Sequence, residues 1–88
     1  MTDEDTRLAV EELTLMLLYL ERWKERGMPD GMYGTWSGYD FDVIDGLVEK
    51  GDIYHRRGNK TIYMDGKGCD RARELLRKYG IEDWEKQF

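Results

Sequence analysis

The sequence predicts an α+β fold in one domain spanning residues 1–88: a long helix, a second helix, a two-stranded antiparallel hairpin and a C-terminal helix. Three observations predict it. Apolar residues recur at three-to-four spacing in three separate stretches. A fourth stretch, 53–64, is rich in β-branched and aromatic residues around the turn pair Gly58 and Asn59. Each helical stretch also stops at a glycine: Gly27, Gly51 or Gly80. A chain of 88 residues can bury one core of small margin and has no room for a separate catalytic domain.

The first helix is expected over 6–26. Its acidic start suits the positive end of the helix dipole, and Arg22, Lys24 and Arg26 suit the negative end. Ala9, Leu13, Met16, Leu17, Leu20 and Trp23 fall on one face, the expected core stripe. Leu8, Leu15 and Leu18 do not fit that face. They form the candidate self-association surface, where each would meet its symmetry mate in an isologous dimer. The alternative is that Trp84 and Phe88 of the tail cover them within one chain.

Residues 27–38 hold four glycines with Pro29, Asp30 and Ser37, which is loop chemistry, with Tyr33 and Trp36 pinning the loop to the core. The second helix is capped by Asp40 and ended by Gly51. It buries Phe41, Ile44, Leu47 and Val48 and turns Asp42, Asp45 and Glu49 outward, as candidate protein contacts. The hairpin pairs 53–57 with 60–64, with Tyr54 opposite Tyr63. Ile53, Ile62 and Met64 share the buried face. A third helix, capped by Asp65 and reaching Tyr79, buries Cys69, Ala72, Leu75, Leu76 and Tyr79. Ile81, Trp84 and Phe88 then form a short turn folding back onto the domain.

Charge narrows the functional classes. The net charge is -5, and residues 1–12 and 27–50 each carry -4. Residues 51–68 reverse the sign to +2 through Arg56, Arg57, Lys60 and Lys67. Arg56, Arg57 and Lys60 are therefore the candidate anion or nucleic-acid contacts, although cations on a ribbon edge more often serve solvation and discourage stray strand pairing. The longest apolar run, 15–20, is too short to span a bilayer, and the N-terminus opens with acids, unlike a signal peptide. One cysteine, Cys69, allows no internal disulfide, so a reducing cytoplasmic setting is expected.

With a single histidine, His55, the chain offers no structural zinc set, and MDGKGCD lacks the alternating ligands of a calcium loop. GKGCDR lacks both the third glycine of a dinucleotide fingerprint and the ending of a phosphate loop. Ser37 and His55 lie in different elements with no motif joining them. No enzyme activity, metal or cofactor is expected.

The order helix, loop, helix, basic hairpin, helix is winged-helix-like. The run DFDVIDGLVEKGDIYHRRGNKTIYMDGKGCDRARELL resembles the second half of MarR-like and PadR-like winged helices, with Gly51, Ile53, Asp65 and Gly68 at the matching positions. LTLMLLYLERWKE followed by TWSGYDFDVIDGLVEKG also resembles a family of small bacterial proteins catalogued as a domain of unknown function. That likeness covers most of the chain and implies no activity. Against DNA reading, the helix in the recognition position exposes three acids, where groove readers present arginine or lysine. The sequence therefore points to a non-enzymatic binding module, a homodimer or a partner of another protein. A DNA-binding regulator using the basic wing is the alternative.

Overall fold

The computed structural model describes residues 2–24, 26–56 and 58–82. Helix α1 (Asp3–Leu20) opens at a reciprocal cap: the Thr2 hydroxyl accepts from the Asp5 N–H, and the Asp5 carboxylate accepts from the Thr2 N–H. The helix ends well before the expected Gly27, because side chains satisfy its last carbonyls. The buried Thr35 hydroxyl donates to the Leu18 carbonyl at 2.8 Å, and the Arg22 guanidinium donates to that of Tyr19 at 2.8 Å. Beyond Glu21 the chain is extended, and Trp23 exchanges two backbone hydrogen bonds with Gly34. Of the three basic residues expected at the helix end, only Arg22 serves it, and Lys24 pairs with Asp30 instead.

The expected loop contains strand β1 (Tyr33–Trp36), which pairs antiparallel with β2 (Thr61–Met64), Tyr33 opposite Met64 and Trp36 opposite Thr61. Between them in sequence lies α2 (Phe41–Glu49). The predicted hairpin partner of β2 is reduced to one bridge, Tyr54 with Tyr63, at the predicted register. Strand pairing goes to β1 because Thr35 faces the core opposite Ile62, while Gly34 leaves room on the other face for the Trp23 indole. As predicted, Ile53, Ile62 and Met64 are buried. Helix α3 (Gly66–Lys78) begins at Asp65, whose carboxylate accepts from the Lys67 and Gly68 N–H groups. Asp40 caps α2 in the same way, at Asp42.

Among the described residues the α+β class, three helices and a two-stranded antiparallel sheet are as the sequence predicts, with β1 in place of 53–57 as the partner of β2, consistent with a winged-helix-like arrangement. The core joins Leu15, Met16, Leu18 and Tyr19 of α1 to Ile44 and Leu47 of α2, the sheet residues, and Cys69, Ala72, Leu75 and Leu76 of α3. Four expectations of burial need correction, the first being Trp36, which was to pin the loop to the core and is 56% exposed. The buried arc of α1 is rotated, so Leu15 and Leu18 lie in the core rather than on a self-association surface, and of that set only Leu8 is exposed. Phe41 is exposed, since it sits about 90° around α2 from the arc centred on Ile44 and Leu47. Tyr79 is also exposed, its hydroxyl donating to Glu12 rather than packing inward. Trp84 and Phe88 lie outside the described residues.

Candidate interaction surface

The rotation of α1 follows from two polar residues that find partners indoors. Glu11, 5% exposed, accepts from Lys50 at 3.1 Å, and its carboxylate occupies the space that a side chain at Gly46 would take. Thr14 satisfies its hydroxyl on the Val10 carbonyl at 2.7 Å. Because neither leaves an unpaired polar group in the interior, both can be buried, and Leu15, Leu18 and Tyr19 go in with them. Of the stripe expected in the core, Met16 is buried but Leu13 and Leu17 are turned to solvent, 50% and 46% exposed, and Val10 beside them is 42% exposed. At 3.6 residues per turn the three exposed residues lie within an arc of about 60° on the side of α1 away from the core. The helix is apolar on both sides.

Charged groups gather on the opposite side, where α1 meets α2 and α3. Glu12 takes the Tyr79 hydroxyl at 2.7 Å and pairs with Lys78 and Arg71 at 3.4 and 3.5 Å. The Tyr79 hydrogen bond first, and then the two cations, hold its carboxyl below the ordinary range. Asp65 behaves similarly, its second oxygen accepting the Tyr54 hydroxyl at 2.7 Å; that bond, with the cap, lowers its carboxyl. Asp52 is the counterexample. Burial pushes its carboxyl up, against the pull of Arg71, Lys67 and Lys50.

Among the described residues the basic turn does not converge on a site. Arg56 and Lys60 are exposed, and Arg57 lies outside the described residues. Arg56 borders an open cleft of about 380 Å³ floored by Val48 and Tyr63, whereas Lys60 is tied by its carbonyl to the Ser37 hydroxyl. His55 Nε2 lies 2.8 Å from the Asn59 carbonyl, which can only accept, so this nitrogen carries the proton. Ser37 and His55 thus bond to different backbone carbonyls. Asp42, Asp45 and Glu49 are exposed as expected, and Glu49 also lines a cleft of about 540 Å³ between α1 and α2.

Among the described residues no cluster of three or more histidine, cysteine or acidic side chains could hold a metal ion. Cys69 is buried, and burial pushes its thiol up, away from the reactive thiolate. Among the described residues no helix is long and apolar enough to cross a membrane. The feature with the clearest chemical consequence is the outer face of α1. Two of its residues, Leu13 and Leu17, are expected from the sequence to lie in the core.

Residues 6–82 match the model of a family described as a domain of unknown function, DUF6429. No curated protein and no solved structure matches the chain.

Proposed function

Since the chain belongs to this family of unknown function, we propose from its own surfaces that it is a non-enzymatic binding module, self-associating through the outer face of α1. One observation carries the reading: Val10, Leu13 and Leu17 form an unpaired apolar stripe on the side of α1 away from the core. Side chains of this kind, aligned along one helix face, are what helix-to-helix docking buries. The occupant is a second copy, because the charges flanking the stripe suit one: Arg7 near one end of α1 and Glu21 at the other lie on the same flank. A two-fold axis brings such opposite ends together.

Sedimentation velocity of the full chain, beside Leu13→Glu, tests this. The wild type is expected to sediment as two chains and the variant as one, with unchanged far-ultraviolet circular dichroism, since Leu13 lies outside the core. A wild-type chain that stays monomeric up to about 1 mM, a concentration that detects even very weak pairing, would overturn the proposal.

A further inference from the structure

Resting on that reading, we infer that the two copies pair α1 against α1 in the antiparallel sense, and that Arg7 of each closes on Glu21 of the other. The helical positions dictate the register. An antiparallel pair centred between Leu13 and Thr14 sets Val10 of one copy opposite Leu17 of the other, and places the two Leu13 side chains beside each other at the centre. The same register brings Arg7 to within one residue, about 1.5 Å along the axis, of Glu21 on the second copy.

Both charges lie on one flank of the stripe. Taking each residue as a 100° step, Arg7 and Glu21 stand about 90° and 50° to the same side of its centre, while Ala9 and Leu20 border the other side. In an antiparallel pair, flanking positions meet their own kind of flank, so this edge is charged and the opposite edge apolar. The Arg7 side chain makes no hydrogen bond or ion pair with any described residue, and the residue is exposed. Glu21 is exposed too, and the Tyr39 hydroxyl, at 3.4 Å, holds its carboxylate at the rim. Two such pairs form, one at each end.

The parallel arrangement is disfavoured by the same charges. It would set Asp3, Glu4 and Asp5 of both copies side by side, turn the flank of Arg7 and Glu21 toward the apolar Ala9 and Leu20 edge of the other copy so that neither charge meets its opposite, and align the two helix dipoles. The antiparallel arrangement separates the acidic starts by about 27 Å, the length of an 18-residue helix, which is well past the screening length in physiological salt. It also opposes the dipoles.

Charge reversal decides the matter. Arg7→Glu, Glu21→Arg and the double variant are compared with wild type by sedimentation equilibrium of the full chain in low and physiological salt. Each single reversal turns two attractive pairs into two like-charge pairs. It is expected to raise the dimer dissociation constant about tenfold in low salt, and less in high salt. The double variant restores both pairs with the signs exchanged, and should return to within about threefold of wild type. A dimeric wild type whose single variants dissociate no more readily, or whose double variant is the weakest of the four, overturns the antiparallel arrangement and leaves self-association standing. A monomeric wild type overturns both.

Discussion

Gly68 sits in the first turn of α3, where helix propensity alone recommends replacing it. Alanine is better than glycine by about 1 kcal/mol in a helix interior. The structure predicts the opposite outcome at this position. A Cβ on Gly68 would fall inside contact distance of the Asp52 carbonyl oxygen and 3.1 Å from its carbon. Both are backbone atoms of the segment joining α2 to the sheet, so neither can swing aside as a long side chain would. Overpacking of this kind costs roughly 1–3 kcal/mol. Displacing the first turn of α3 also stretches the Asp65 cap, which is worth about 1 kcal/mol. The expected net effect of Gly68→Ala is a loss of about 1–2 kcal/mol after the propensity gain. Gly66, two residues earlier in the same turn, is the internal control, because a Cβ there meets nothing within 4 Å. Gly66→Ala should be neutral or stabilising by up to about 1 kcal/mol. Urea unfolding at one fixed protein concentration reads both. With a slope near 1 kcal/mol per molar for so small a chain, Gly68→Ala should lower the midpoint by about 1–2 M while Gly66→Ala leaves it or raises it. Parallel rises in both variants would refute the packing argument.

Two further predictions concern groups that the fold holds in unusual company. Thr35→Val keeps the shape of a buried strand residue but strips the Leu18 carbonyl of its donor, and should cost about 1–3 kcal/mol by the same unfolding assay. The pH dependence should carry two opposed contributions. Glu12 and Asp65 have folded carboxyls below the ordinary range, so their stabilisation is complete above the unfolded values and is lost as pH falls through the folded ones. Asp52, pushed up by burial, favours the folded state in its neutral form, and that contribution is lost as pH rises through its folded value. Glu12→Gln should therefore flatten the acid limb of a melting-temperature profile, whereas Asp52→Asn should raise the neutral plateau relative to the acid end.

Much of the fold was legible because single residues announced it. Asp40 and Asp65 were readable as caps, Gly80 as a stop, and Ile53, Ile62 and Met64 as one buried face, since short-range geometry alone decides each. What was misread depended on partners far away in sequence. The buried side of α1 carries the polar Glu11 and Thr14, and it is Lys50, at the C-terminal cap of α2, and a backbone carbonyl one turn back that make that side dry. With two apolar stripes on one helix, the wrong one looked better. A signal for the right choice existed in Gly46, a helix-weakening residue in α2 that makes sense once a carboxylate must lie against it. Strand β1 was hidden for a similar reason. Its YGTW sequence sits among turn residues, and its identity depends on β2 choosing it over the nearer 53–57 segment.

That choice of partner has a kinetic meaning. Each rung of the β1–β2 ladder joins residues 25 to 31 positions apart, with all of α2 in the intervening loop. The sheet therefore cannot grow outward from a tight turn, as a hairpin does within microseconds. It must wait until the enclosed helix has condensed against α1 and shortened the gap. Until Thr61–Met64 arrives, β1 has only the single Trp23–Gly34 bridge, and the first half of the chain holds a strand without its ladder. The two halves of the molecule are thus bound to a common fate: neither a fragment ending before residue 61 nor one beginning after residue 36 contains a complete fold, and a single cooperative transition is the natural consequence.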